Sequence, residues 1–592
     1  MAHTAMELST IDKRAGFTTV PPRAGHAHVA DAAAQYSSKE VRERVEELTS
    51  STTSLYPRYK RNPQARSIRS LYQEVEADES ERPTSGSQSA EGKTGRVESN
   101  DAASGLTTTV FGRIASIRTS GSKLAFLDIV EDQLRLQVVL SYSALESSGV
   151  SLDDFKHSCR LIRRGDYISL NGGQPYRAKN GQVSIKASSL PVIQSPCLQR
   201  FPVEQRGFAT SPLSETNYQP RHVEMLTDPE VIETLKARST LLRTMRTFFE
   251  TRSFVEVSTP ILTALAGGAT AKPFETAATE FPNRKLSLRI APELWLKRLI
   301  VGGMERIFEI GPSFRNEGLD KTHNPEFTTC EFYAVRHDLP QLMDYTKQLL
   351  SEIAIAIEAL PHQQPPEVAN LLQSVREPYQ EFDFIPTLNS ALGVELPDLS
   401  SPEAPRQLLQ IFESKDLPLP SNPTVPRLMD KLSSIYIEPR SMDRPTWIVN
   451  IPECLSPLAK SYIHPHAPNR QPVAARAELF IQGKEVVNCY EEENSPFEQR
   501  RKFQEQQHYA HQSSPSNDGS PIQSQTVDEE AMKVDEDFLE ALEWGLPPTG
   551  GWGCGIDRLV MLFTGKERIG DVLTFGNLRA VTRGAEKRHS GS

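Results

Sequence analysis

Long apolar runs are missing from this sequence. No stretch approaches the ~18 consecutive apolar residues that a membrane-spanning helix needs, so no membrane contact is expected. Cysteine is scarce: Cys159, Cys197, Cys330, Cys454, Cys489 and Cys554 are scattered through 592 residues with no C-x-x-C pair. That argues against a zinc cluster and a disulfide scaffold, and fits a reducing compartment. Net positive charge is missing too, since 66 Lys and Arg face 76 Asp and Glu, a formal charge of −10. Such a chain is no general polyanion binder, and a nucleic acid must be met by a local, shaped surface. There is no internal repeat. Apolar residues, at 38%, suffice for a sizeable core, and the length suggests about four domains of roughly 150 residues, or fewer large ones.

Residues 1–105 read as a mostly disordered extension. The stretch 78–100 (DESERPTSGSQSAEGKTGRVESN) is almost free of large apolar side chains and cannot bury enough surface to fold. A short helix fits 38–48. Residues 56–72 carry Arg58, Lys60, Arg61, Arg66 and Arg69 without an acid, a solvated tail or an arm for RNA phosphates. The first 30 residues lack the apolar core of a secretory signal. They mix Lys13, Arg14 and Arg23 with Glu7 and Asp12, a weak pattern for an organellar transit peptide.

From residue 107 alternation sets in. Strands are expected over 107–118, 123–130 and 134–141, a helix opening at Ser151, then strands over 166–171 and 182–187. Five short strands with a helix after the third is the order of an OB barrel, over 106–195, and such barrels bind oligonucleotides through aromatic and basic groups. If Leu134, Leu136, Ala125, Leu127 and Ile129 point inward, Phe126 and Gln137 point outward on neighbouring strands, which suits base stacking beside base-edge hydrogen bonding. A proline-rich linker covers 196–226. Asp228–Pro229 then opens a helix in a larger α+β domain over 227–585. A helical, proline-rich insertion over about 355–445 and a low-complexity loop over about 504–527 interrupt it.

Three segments there carry chemistry. In 313–333 (SFRNEGLDKTHNPEFTTCEFY) a hairpin sets Arg315 and Glu317 on one face; Arg suits phosphate, and Phe327 offers a stacking surface. In 550–563 (GGWGCGIDRLVMLF) four glycines precede a helix with Arg558 in its first turn, an anion site without the GK[ST] of a P-loop. In 478–494 (ELFIQGKEVVNCYEEEN) Glu478 and Glu485 flank a turn, as carboxylates holding Mg²⁺ beside triphosphate oxygens would. Each alone also reads as an ordinary salt-bridged or glycine-rich turn.

Together the three resemble the signature motifs of class II aminoacyl-tRNA synthetases. The first motif of that class is matched by the helix ending near Arg252 with 254–262 (FVEVSTPIL). Within the class the chain is most similar to the lysyl-tRNA synthetases, through GGATAKPF (267–274), RIAPELWLKRL (289–299), FRNEG…HNPEFT, SPLAK (456–460) and GLPPTGGWGCGIDRLVMLFT (545–564). The similarity runs from about Thr107 to Arg579. It departs where the family has Asn-(Ala/Gly)-(Tyr/Phe)-(Ser/Thr)-Glu-Leu-Asn and this chain NCYEEEN.

The resemblance implies an N-terminal OB-fold anticodon-binding domain and a catalytic antiparallel sheet flanked by helices. It implies lysine–tRNA ligation with ATP, L-lysine and tRNA(Lys) as partners, and Mg²⁺ as cofactor. Arg315 and Arg558 are then catalytic. Glu317, His323, Asn324, Phe327, Glu485 and Gly555 join them around ATP, and Glu478 with Glu485 holds the metal. Lysine is held by Gly268, Glu293, Glu331, Tyr333, Asn488 and Glu492, and the anticodon by Arg118, Phe126 and Gln137. A homodimer through 251–260 is implied, and the mitochondrial matrix is favoured over the cytoplasm. The rivals are an aspartyl- or asparaginyl-type enzyme, whose pocket would be cationic, and an inactive RNA-binding scaffold, which would have lost Arg315 or Arg558.

Overall fold

The computed structural model describes residues 38–51, 55–80, 107–201, 220–265, 267–269, 271–361, 364–420, 422–463, 471–511 and 534–576. The chain divides into two units, Met1–Thr210 and Ser211–Ser592.

In the N-terminal unit, strands Thr108–Thr119, Leu124–Glu131 and Leu134–Ser141 form an antiparallel meander. Alternation drives it: Val110, Ile114, Leu127, Ile129, Leu136 and Val138 are all fully buried. Helix Leu152–Leu161 follows, its first turn capped by Ser151 Oγ, which accepts the Asp154 backbone N–H at 3.1 Å. Strand Tyr167–Gly172 runs antiparallel to the first strand and Val183–Lys186 parallel to the third. A bridge between Gly172 and Ala187 joins the last two and closes the circuit. This is the expected OB barrel, with short strands Tyr176–Arg177 and Val192–Ser195 added.

The extension does not behave as its composition suggests. Helices Lys39–Ser51 and Ile68–Ser80 bury Val41, Val45 and Leu48, and Ile68, Leu71 and Val75, in the same core as the barrel. Arg44 Nη2 donates to Asp166 Oδ2 at 2.9 Å, with both side chains shut off from solvent. The first is the short helix expected over 38–48; what the sequence did not show is the packing of either helix on the barrel, because their partners lie far along the chain. Residues 1–37 and 81–106 lie outside the described residues, and so does the stretch considered for targeting.

The C-terminal unit is built on an eight-stranded sheet. Its order is Gln380–Asp383, Thr446–Val449, Arg476–Ile481, Lys484–Glu491, Thr549–Gly555, Glu326–Val335, Arg306–Phe314, Val255–Glu256. All pairings are antiparallel except the two outermost. Helix Pro229–Glu250 starts as expected, with Asp228 accepting the Glu230 N–H at 3.0 Å and Pro229 in the first turn. It packs with Leu339–Glu358 and Ile556–Thr564 over one sheet face, in a core that includes Phe249, Phe332, Leu349, Trp552 and Leu559. The opposite face of the central strands stays open. The stretch expected as a helical insertion holds helices Pro366–Ser374, Phe384–Leu392, Ala404–Ser414 and Val425–Tyr436, and also supplies the edge strand Gln380–Asp383. Helix Pro496–His511 takes in the start of the expected low-complexity loop, and 512–533 lies outside the described residues. Among the described residues no helix is long and apolar enough to cross a membrane.

Candidate active site

Register explains why the central strands make a site. Thr329, Glu331 and Tyr333 pair with Gly555, Gly553 and Gly551. Successive side chains alternate across a strand, so every second residue of Thr549–Gly555 on the open face is a glycine, while Trp552 and Cys554 fill the core behind. The bare strand is the floor of a cavity of about 400 Å³. Gly551 has the least room: a Cβ there would lie 1.8 Å from Glu492 Oε1 and 2.8 Å from Tyr333 Cε1.

Arg315, Glu317, His323, Asn324, Phe327, Glu331, Tyr333, Glu485, Asn488, Gly555 and Arg558 line this cavity with Gly268 and Glu293. Glu478 and Glu492 lie one contact behind its wall. The residues expected around ATP cluster at one end. The Arg315 guanidinium lies 5.2 Å from the Phe327 ring centre, and its buried Nε has no partner. Arg558 Nη2 meets His323 Nε2 at 2.7 Å and Nη1 donates to the Glu485 carbonyl at 3.2 Å. A guanidinium only donates, so the His323 proton sits on Nδ1, directed at Asp320 Oδ2 2.7 Å away. Slight burial of Asp320 is outweighed by the Thr322 backbone N–H and the His323 ring, which hold its carboxyl well below the usual range.

The other end is acidic and dry. Glu293, Glu331 and Glu492 are 6%, 9% and 2% exposed. Lys297 Nζ donates to Glu293 Oε1 at 2.7 Å and ion-pairs with Glu492 Oε2. Burial alone would strip the Lys297 proton, but Glu293 and Glu492 outweigh it and keep the ammonium charged. Burial raises Glu492, against the pull of Lys297, and Glu492 Oε1 has no donor. Burial, then the charge of Glu293, pushes Glu331 up to about 8, against a 3.2 Å hydrogen bond from Tyr333. Burial likewise pushes the Tyr333 hydroxyl up. The neighbouring Glu491 turns away, accepting the Leu339 N–H at 3.1 Å.

Between the two ends, Asn488 Nδ2 donates to Glu485 Oε1 at 2.8 Å and Asn488 Oδ1 accepts from Arg476 Nε at 2.9 Å. Arg476 also pairs with Glu478. Burial raises the Glu478 carboxyl, Arg476 pulls it back, and Glu485, Asp430 and Glu438 push it up again. Glu478 and Glu485 thus bring carboxylate oxygens together, the hard donors that Mg²⁺ takes alongside its waters.

Sequence reasoning missed Lys297 and Arg476. Lys297 is readable in hindsight, since it stands four residues after Glu293 and so on the same helix face. Arg476 alternates with Glu478. Asp557 was missed too: it accepts the Thr328 N–H at 2.9 Å and pairs with Arg238, tying the Arg558 helix to the Phe327 strand.

On the barrel, the pairs Arg118–Phe126 and Asp128–Gln137 put all four residues on the outward face. Phe126 is half-buried. Gln137 is only 7% exposed, because the parallel strand beside it brings Ser184 Oγ to its Oε1 at 3.3 Å. Asp128 links the group, with Arg118 at 3.4 Å, Ser116 at 2.6 Å and Gln182 at 3.2 Å. In the basic stretch before the barrel Arg66 and Arg69 pair with Glu74 and Asp132, while Arg58, Lys60 and Arg61 are exposed.

Comparison with known proteins agrees with this arrangement. The family model of tRNA synthetases class II (D, K and N) matches residues 213–579. A mitochondrial lysine–tRNA ligase of Schizosaccharomyces pombe is 40% identical over 474 residues, 80% of this chain and 84% of the relative. A lysine–tRNA ligase of Cladosporium cladosporioides is 36% identical over 492 residues, 81% and 77%. A probable cytoplasmic lysine–tRNA ligase of Encephalitozoon cuniculi is 36% identical over 476 residues, 79% and 86%. The chain belongs to the class II tRNA synthetases and, within them, to the lysine–tRNA ligase family. Its relatives include mitochondrial and cytoplasmic forms.

Proposed function

We propose that this chain activates lysine with ATP to lysyl-adenylate and transfers the lysyl group to the 3′ end of tRNA(Lys). One observation carries the amino-acid choice. Two buried carboxylates, Glu293 and Glu492, share the ammonium of Lys297, Glu331 stands beside Glu293, and Glu492 Oε1 has no donor. Buried acids that outnumber their cation call for a cationic ligand, which draws them into their ionised forms, and an aspartate or asparagine enzyme would need the opposite sign.

The lysine carboxylate attacks the α-phosphorus of ATP. A bond forms from carboxylate oxygen to phosphorus, and the bond to the bridging oxygen breaks, releasing pyrophosphate. Negative charge grows on the α-phosphate oxygens, and the guanidinium of Arg315, which lines the cavity, is there to meet it. Phe327 stacks on adenine, with Glu317, His323 and Asn324 around the base. His323 steers Arg558 toward the far phosphate, and Gly555 lets the chain approach closely. Glu478 and Glu485 would hold Mg²⁺, which when bound neutralises phosphate charge. Gly268, with φ of +90° and room for no side chain, since a Cβ there would lie 3.0 Å from Glu293 Cβ, lets backbone and carboxylate converge on the α-amine. Glu492 and Tyr333 take the side-chain ammonium, with Glu331 and Asn488 nearby. The tRNA terminal hydroxyl then attacks the adenylate carbonyl and AMP leaves.

Within this reading Arg118, Phe126 and Gln137 read the anticodon from the barrel of 106–195, and the unit from 227 to 585 performs the chemistry. Val255, Ile261 and Leu262 are large apolar side chains left exposed around the first-motif strand; they support a homodimer, which light scattering would reveal. The matrix of the mitochondrion is proposed as the compartment, to be checked by imaging the tagged full chain.

The test is ATP–pyrophosphate exchange with each of the twenty amino acids. Exchange with lysine alone, abolished in Arg315→Ala and needing more lysine in Glu492→Gln, is the expected result. Exchange with aspartate or asparagine would overturn the assignment. No exchange with any amino acid, in folded protein that still binds tRNA, would favour the scaffold.

A further inference from the structure

The two acids proposed to hold the ends of lysine do not stand alone. Lys297 lies one turn after Glu293 on helix Glu293–Val301 and has no exposed side-chain surface. It takes one oxygen from each carboxylate: Glu293 Oε1 at 2.7 Å and, in an ion pair, Glu492 Oε2. The remaining oxygen of Glu492 has no donor. The glycine at 551 leaves it the space it occupies. Phe538 covers the ammonium from behind, its ring centre 5.9 Å from Nζ. The other titratable and charged groups around this point are Glu331, Tyr333 and Tyr490 toward the cavity. Behind lie Glu493, paired with Lys502 at 2.8 Å, and Arg298, near Asp535 at 3.6 Å.

We propose that Lys297 is a positioning residue that sets amino-acid specificity: it clamps Glu293 and Glu492 at a fixed separation and so selects the length of the diamino acid held between them. The inference rests on reading Glu293 and Glu492 as the two anchors. Two buried carboxylates this close would otherwise repel, and one would take up a proton. The ammonium between them offsets that repulsion. It also fixes their spacing, because one ammonium touches two carboxylates only when they stand within its reach. A ligand bearing two ammonium groups then places each on the oxygen that Lys297 leaves free. On this proposal lysine reaches both anchors, whereas ornithine, one methylene shorter, reaches one only. A missing methylene in an apolar slot is worth about 10–200-fold, whereas a buried polar group left unpaired discriminates by roughly 10⁴–10⁵-fold. The clamp turns a length difference into the second kind of penalty.

The test compares wild type, Lys297→Met and Lys297→Arg in full-length enzyme by pyrophosphate exchange with lysine and with ornithine from pH 6.5 to 9. ATP KM and thermal melting are followed alongside. In Lys297→Met the lysine KM rises about tenfold to a hundredfold, the preference over ornithine collapses by at least about tenfold, and ATP KM is unchanged. Lysine KM in that variant also falls with rising pH more steeply than in wild type, as the anchors regain their charge. Lys297→Arg keeps the cation but moves it, so it keeps the melting temperature and still shifts the lysine-to-ornithine ratio. An unchanged ratio in folded Lys297→Arg overturns the clamp, even where Lys297→Met fails to fold. So does a uniform loss of kcat with lysine KM intact. A wild-type enzyme that exchanges with another amino acid and not with lysine removes the anchors themselves, and the clamp with them.

Discussion

Glu331 gives a measurement that separates electrostatics from shape in the lysine pocket. Its carboxyl is pushed up to about 8 by burial and by Glu293. At pH 7 such a group is about 90% protonated. An ammonium arriving beside it favours the ionised form, so lysine binding should expel about 0.9 proton from this group at pH 7. The same linkage makes lysine bind about fivefold more tightly at pH 8 than at pH 7, with the gain fading above pH 9. There is a stability side. Between the unfolded value near 4.5 and about 8 the native state holds more protons than the unfolded chain. Stability contributed by this group is therefore lost as pH rises through that window, by about 5 kcal/mol in total. Glu331→Gln keeps the shape, removes the titration and removes the charge. Calorimetry in two buffers of different ionisation enthalpy counts the protons directly. Wild type should release about 0.9 proton more per lysine than the variant at pH 7, and the variant should bind lysine roughly 10–100-fold more weakly. Equal proton counts, or wild-type affinity flat from pH 6 to 8, would refute the reasoning.

Gly551→Ala should cost roughly 1–3 kcal/mol of stability and remove lysine activation, because the new methyl would need the space of Glu492 Oε1; fluorescence titration with ATP should show nucleotide binding retained. Arg44→Met leaves Asp166 buried without its partner, a loss of about 3–5 kcal/mol confined to the N-terminal unit. Calorimetric melting should show one transition moved down, with tRNA charging reduced and lysine-dependent pyrophosphate exchange unchanged.

What was legible in the sequence was local. Asp228 and Pro229 announce their helix because cap and first turn are adjacent in the chain, and Ser151 does the same for the barrel helix. The barrel strands show because alternation repeats every second residue. Arg315, Phe327 and Arg558 stand out through the order of the three segments taken together, since each alone also reads as an ordinary turn. What stayed hidden is made by distant partners. Arg44 meets Asp166 across 122 positions, so its helix was legible but its docking on the barrel was not. Gln137 was expected in the open, and the strand that covers it arrives some 47 positions later. Lys297 stayed hidden because its second acid, Glu492, lies far along the chain.

The glycine-lined strand Thr549–Gly555 has a consequence for how the enzyme is made. It is among the last elements to leave the ribosome, yet it pairs on both sides with strands completed long before, Glu326–Val335 and Lys484–Glu491. Until it arrives, the nascent sheet has a slot in its middle and two bare edges, and such edges invite pairing with other chains. Having three glycines on one face, it brings little strand preference of its own. A chain stalled before residue 549 would carry Arg315, Glu331 and Glu485 and still have no floor on which to set a substrate. Synthesis itself thus keeps the enzyme silent until this strand is made, and a product truncated before it is an aggregation hazard rather than a partial enzyme.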